Sequence, residues 1–206
     1  MKKITLFVLI CFGMLLPRVS QAQKKGDFGM HTELGYAFGL SKTGENNISY
    51  NYHGYNLMVS PGFYITDNLF AGIGAGVYNY SYTRDIYKEK SVNFLAFPVY
   101  IHGLYTINTN SVVTPFLNIK AGYGFISKDM NLTMLDNSQQ WTEEYSGGLY
   151  LSPSIGVFYP LNTRHALSLS VSYDMQKYKR TFPGNATTNP SNETNSAISL
   201  KVGWFF

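Results

Sequence analysis

Hydrophobic and polar residues alternate along much of this chain. Over residues 28–40 the even positions hold Phe28, Met30, Thr32, Leu34, Tyr36, Phe38 and Leu40, and the odd ones Gly29, His31, Glu33, Gly35, Ala37 and Gly39. A period of two predicts a strand with one apolar face and one small or polar face. The same alternation returns over 55–65, 69–78, 95–102, 113–123, 149–157, 167–174 and 197–206, which predicts eight strands in all. Pro61, Pro98, Pro115 and Pro153 fall inside four of them. Proline cannot donate to a ladder, so either local bulges lie there or the strand boundaries are shifted by a few residues.

The connections between these strands alternate in length. Those around 66–68, 108–110 and 160–164 are tight. Those around 41–53, 83–91, 127–146 and 178–195 are long and rich in Asn, Ser, Thr, Gly and charge. Short turns at one end and long loops at the other mark a barrel of the outer-membrane type. An even number of antiparallel strands closes such a sheet, so that every backbone group within lipid is paired. Soluble sandwiches and barrels also alternate. Their water-facing side carries many Lys and Glu, whereas the polar face here is Gly, Ser, Asn, Ala and Tyr with isolated charges. The fold class is therefore all-β, an eight-stranded antiparallel transmembrane β-barrel.

Composition supports that picture and adds a targeting segment. Charge is low, at 14%, and aromatics are high, at 16%, with 17 Tyr and 14 Phe. Tyrosines gather at strand ends (Tyr50, Tyr52, Tyr55; Tyr78, Tyr80, Tyr82; Tyr173, Tyr178), where an interfacial girdle belongs. Lys2 and Lys3, an apolar run from Ile4 to Leu16, and a polar stretch ending Ser20-Gln21-Ala22 have the layout of a cleaved signal peptide, 1–22. That run is too short for a spanning helix, which needs about 20 apolar residues. The barrel domain is then 23–206. The signal holds Lys2, Lys3 and Arg18, so 16 Lys+Arg fall to 13 against 12 Asp+Glu, and the basic balance disappears. No nucleic-acid partner is implied. Cys11 lies in the signal, which leaves the barrel without a disulfide, thiol nucleophile or thiolate metal site.

The segments "VTPFLNIKAGYGF" (113–125) and "ISLKVGWFF" (198–206) resemble the small outer-membrane β-barrel domain family, often labelled the porin family, with an OmpA-like or OmpX-like layout. The resemblance covers about residues 27–206 and rests on residue classes, so it specifies fold better than function. It implies an outer-membrane location with both termini periplasmic, and structural, adhesive or interaction roles without a shared catalytic residue. It also implies that Ile198, Leu200, Val202, Trp204 and Phe206 form the C-terminal signal read by the barrel-assembly machinery.

The candidate chemistry is sparse. Glu33, Lys120, Asp174 and Lys201 fall on the predicted inner face, where charges need partners. The first and last strands are neighbours, so Glu33 is expected to pair with Lys201, and Lys120 with Asp174 across the lumen. A plugging ion network is the first reading of these four, and a polar relay or narrow pore the second, because interior glycines leave space for water. An outer-leaflet lipid enzyme would need a base and nucleophile at the rim. His53 with Ser49 is the one candidate pair. The histidines are scattered and no carboxylate set has ligand spacing, so neither metal nor cofactor is expected. Asn185 and Asn192 open Asn-x-Thr triplets, read as composition alone. Trp141, within the long segment 127–146, is a possible loop anchor for an extracellular ligand. The expected function is non-enzymatic: membrane integrity or surface interaction through four extracellular loops, in contact with outer-membrane lipid. A narrow passive channel for water or small solutes is the alternative, and the lipid enzyme comes third.

Overall fold

In the computed structural model, residues 25–40, 42–43, 49–83, 91–109, 111–133, 140–162, 164–181 and 191–206 are described. The predicted signal segment 1–22 and Asn185 lie outside them. Eight long strands form the wall: β1 (Phe28–Gly39), β3 (Ser49–Tyr64), β4 (Leu69–Thr83), β5 (Ser91–Thr106), β6 (Thr114–Thr133), β7 (Gln140–Pro160), β8 (Ala166–Thr181) and β9 (Ser191–Phe205). A two-residue strand, β2 (Lys42–Thr43), pairs with the start of β3. Each long strand pairs antiparallel with the next, and β1 pairs with both β3 and β9, so the sheet closes.

The register fixes the barrel's shape. From Tyr64 on β3, successive partners are Phe70, Leu104, Asn118, Ser154, Ser172, Ser199 and Ala37, and Ala37 pairs with Gly54 back on β3. One circuit thus returns ten residues from its start. A stagger of ten over eight strands tilts them by about 40° and sets the wall at a radius of about 8 Å. That interior is only wide enough for side chains.

Burial follows the predicted alternation on every strand. Leu34, Leu57, Ile73, Ile101, Ile119, Ile155, Val171 and Leu200 face outward and are exposed, while Glu33, Met58, Tyr100, Lys120, Ser152, Asp174 and Lys201 face inward and are buried. The outer belt of Leu, Ile, Val and Phe is a surface that water disfavours and hydrocarbon accepts.

Two expectations are corrected. The prolines do not create bulges. The register is the same on both sides of Pro61 (Val59↔Ala75, Gly62↔Gly72), of Pro98 (Ala75↔Val99, Tyr78↔Ala96) and of Pro153 (Leu151↔Met175, Ser154↔Ser172). Each proline omits local pairings without adding a residue, and Pro115, at the start of β6, keeps its partner Val157. The true register shifts lie at Gly124/Ser127 and Ser146/Tyr150. Parts of the segments expected as long loops are also strand: 49–53, 127–133, 140–146, 178–181 and 191–195. The ladder runs through Leu132↔Trp141 to Thr133↔Gln140, so Trp141 lies in a strand, its side chain outside the described residues. Alternation reports a wall between two media. Beyond the belt that contrast fades while the backbone ladder continues, so the pattern ends before the strands do.

Candidate functional site

The barrel interior is layered. At the end carrying the described termini and the short turns, Tyr64, Phe70, Phe116, Phe158 and Phe205 form a buried aromatic plug. Their rings meet at centroid distances of 5.4 Å (Phe70–Phe205), 5.6 Å (Phe158–Phe205), 5.9 Å (Tyr64–Phe205) and 4.4 Å (Phe116–Phe158). The tail "GWFF" is thus divided by parity. Phe205 turns inward and completes the plug. Ile198, Leu200, Val202, Trp204 and Phe206 line the outer face. Trp204 donates its indole N–H to His165 Nδ1 at 3.2 Å, which fixes that ring at the belt's edge.

Above the plug sit the four predicted interior charges, all sealed: Lys120 and Lys201 at 0%, Glu33 at 1% and Asp174 at 4% exposure. Their partners differ from the expected ones. Lys120 pairs with Glu33 at 2.5 Å, and Lys201 with Asp174 at 2.9 Å. The stagger supplies the reason. Each step around the wall climbs about one and a quarter residues, which is ten residues shared over eight strands. β6 faces β1 from four strands away, so Lys120 arrives level with Glu33 across the lumen. Asp174 lies two strands beyond Lys120 and sits higher, within reach of the Lys201 stem.

Asp174 is a hub. Its carboxylate accepts hydrogen bonds from Ser152 Oγ (2.5 Å), Ser172 Oγ (3.0 Å), Ser199 Oγ (2.5 Å), Tyr78 OH (3.2 Å) and Lys201 Nζ (2.9 Å). Lys201 also donates to Ser152 at 3.1 Å. These hydroxyls stand in for water around a buried anion. The Glu33 pair is less enclosed by donors, and Glu33 Oε1 has no hydrogen-bond donor among the described residues. His31 lies beside it, bonded through Nε2 to Ser168 Oγ at 3.0 Å and stacked on His102 at 5.7 Å. The serines and the two histidines were not singled out from sequence, and Tyr78 was expected in the interfacial girdle instead. Their inward parity was the available signal, and it says nothing about which strand a side chain reaches toward.

Ser168, His31 and Glu33 follow in the order of a hydrolase triad, but they do not make one. His31 Nδ1 stands 3.8 Å from Glu33, beyond hydrogen-bond reach, and Lys120 occupies that carboxylate. All three are buried inside the wall, next to the plug. The other candidate dyad also separates. His53 points outward into an aromatic patch, stacked on Tyr36 at 6.2 Å, and Ser49 lies four positions along the same strand, about 13 Å away. The Ser49 side chain lies outside the described residues. No group of three or more metal-ligating side chains occurs among the described residues.

The interior glycines Gly74, Gly76, Gly122 and Gly124 are not open space. A Cβ at Gly74 would strike the Tyr100 ring and Ser60 Oγ. One at Gly76 would meet the Met58 sulfur and one at Gly124 the Gln176 amide, whereas one at Gly122 would strike the Val99 carbonyl and the Tyr100 Cα of the neighbouring strand. Gly74, Gly76 and Gly124 are thus recesses filled by large neighbours, so the space beside them is occupied by side chains. Toward the loop end the lumen is lined by Tyr52, Tyr78, Tyr80, Tyr145, Tyr150 and Tyr178, all buried, with Tyr78 stacked on Tyr80 at 4.3 Å. This corrects the expected girdle: Tyr52, Tyr78, Tyr80 and Tyr178 share the inward parity of their strands and fill the lumen, and only Tyr55 and Tyr173 of the described girdle side chains face outward.

No family model and no curated protein matches the chain. Solved structures do. Neisserial surface protein A is similar at 15% identity and a TM-score of 0.57, with 86% of this chain and 95% of that one covered. The outer membrane protein OprG from Pseudomonas aeruginosa gives 14% and 0.57, covering 91% and 98%. The outer membrane protein AlkL, determined by solid-state NMR in lipid bilayers, gives 13% and 0.52, covering 93% and 95%. At such identities the likeness is one of fold: this chain has the closed, eight-stranded, all-β architecture of the small outer-membrane barrels.

Proposed function

We propose that this protein is a non-enzymatic barrel of a bacterial outer membrane, with both termini periplasmic, that acts through its loop end. The reading rests above all on the filled lumen. The aromatic plug closes one end, ion pairs and hydroxyls fill the middle, and large side chains occupy the glycine recesses. A barrel without a path leaves its rim and its belt as working surfaces. The rim is extended: β6 and β7 stay paired to Thr133↔Gln140, whereas the last β5–β6 pair is Ala96↔Ile126. That hairpin continues roughly 20 Å along the strand past its last pair with β5. It is the part best placed to meet an extracellular partner, and Trp141 belongs to it. The belt meets outer-membrane lipid. The outward row Ile198, Leu200, Val202, Trp204 and Phe206 serves the assembly machinery during insertion.

The test is ion conductance of the folded barrel in a planar bilayer. No discrete steps are expected. Reproducible steps whose size changes in Lys201→Ala or Glu33→Ala would replace this reading with a narrow passive channel.

A further inference from the structure

One column of the outer wall changes chemistry in the order a lipid does. Reading β8 and β9 from mid-belt to rim, the registered outward pairs are Val171↔Leu200, Tyr173↔Ile198, Met175↔Ser196, Lys177↔Thr194 and Lys179↔Asn192. The Tyr173 hydroxyl donates to Ser196 Oγ at 2.9 Å, which marks the boundary where apolar wall gives way to hydrogen-bonding wall. Lys177 and Lys179 stand immediately above it, both exposed and both outward. Ser146 on β7 registers with Lys179, so a hydroxyl flanks the upper lysine on its other side. Glu144 lies one outward position farther along the rim, registered with Thr181.

Among the described side chains the outward positive charge at the loop end is confined to this side. Among residues whose side chains are described, Lys177 and Lys179 are the only cations on the outer face at the loop end. At comparable height β1 presents Phe38 and Leu40, β3 presents His53 and Tyr55, and β6 presents Phe125. Arg180, between the rim strands, is committed to Glu193 at 3.0 Å. Neither lysine has a carboxylate partner among the described residues. Their Cα atoms lie about 7 Å apart along one strand, a spacing from which two flexible stems converge on one phosphate.

We propose that the outer face of β8 and β9 is a binding site for the phosphate of a lipid headgroup. Val171, Tyr173 and Leu200 take the acyl chains, Ser196 and Thr194 the ester or sugar level, and Lys177 and Lys179 the phosphate. The site rests on the outer-membrane reading above, which makes the surrounding leaflet the source of the ligand. A glucosamine phosphate of a saccharolipid and a phospholipid diester share the required chemistry.

The barrel is folded into phosphatidylcholine vesicles carrying either diphosphorylated lipid A, dephosphorylated lipid A or phosphatidylglycerol, then extracted in mild detergent. Retained lipid is counted by native mass spectrometry and its affinity titrated. Each lysine contributes about fivefold, so Lys177→Gln/Lys179→Gln lowers affinity by about 25-fold. Retention of lipid A alone supports the site with a saccharolipid phosphate as ligand; retention of phosphatidylglycerol as well supports it with any lipid phosphate. Equal retention of the dephosphorylated lipid, or an unchanged affinity in the double variant, overturns it. Folding is scored separately by the heat-dependent gel shift. A chain giving no folded band in any vesicle defeats the outer-membrane reading, whereas a folded barrel indifferent to phosphate defeats only the site.

Discussion

The sharpest test of the interior is a double-mutant cycle on Asp174 and Lys201. Asp174→Ala removes the anion and leaves the Lys201 ammonium inside the barrel with one acceptor among the described residues, Ser152 Oγ. Leaving a buried charge without its partner costs about 3–5 kcal/mol. Lys201→Met removes the cation instead. The Asp174 carboxylate then still accepts from Ser152, Ser172, Ser199 and Tyr78. Four hydroxyl donors solvate much of that charge, so the loss is smaller, about 1–3 kcal/mol. In the double variant neither charge remains, and the hydroxyls can bond to one another. Its loss should fall short of the sum by about 2 kcal/mol or more, within the range of coupling for groups in one network. The assay is reversible urea unfolding of the barrel in vesicles, followed by tryptophan fluorescence and the heat-dependent gel shift. Two results would refute the reasoning. Additive single losses would mean that the pair does not act as a unit. A larger loss for Lys201→Met than for Asp174→Ala would mean that the four hydroxyls do not stabilise the carboxylate.

Two further perturbations address the plug and the tail. Gly74→Leu drives a side chain into Tyr100 and Ser60, so it should destabilise the fold by about 1–3 kcal/mol; an unchanged urea midpoint would show that the recess is empty. Deleting Phe206 removes an outward residue whose backbone N–H and carbonyl both bond to Met30, but leaves Phe205 in the plug. It should slow outer-membrane assembly more than it lowers stability of the purified barrel, and normal assembly levels in cells would sink the proposed signal.

How much of this was legible beforehand depends on the range of the information. Parity is local: whether a side chain faces in or out depends only on its own strand, because successive side chains point to opposite faces. Glu33, Lys120, Asp174 and Lys201 were therefore placed inside from sequence, and Trp204 was separated from Phe205 across the wall. Level is global. To know that Lys120 meets Glu33, one must know the climb accumulated over four strand pairs, and a one-residue slip in any of them changes it. The expected pairing of Glu33 with Lys201 used adjacency around the ring without that climb. It failed for a geometric reason, while the chemistry behind it, that interior charges must be matched, held for all four.

The glycines illustrate the same divide from the other side. Read singly, Gly74, Gly76, Gly122 and Gly124 suggest an open bore. Their meaning lies in the neighbours brought over them: Tyr100 on Gly74, Met58 on Gly76, Gln176 on Gly124, and the backbone of Val99 and Tyr100 against Gly122. A wall of radius about 8 Å cannot hold bulky inward residues on every strand at one level. Large residues on some strands require small ones opposite or beside them. The glycine content thus follows from the tyrosines and phenylalanines of the lumen, and the composition that first suggests a pore is a condition for closing it.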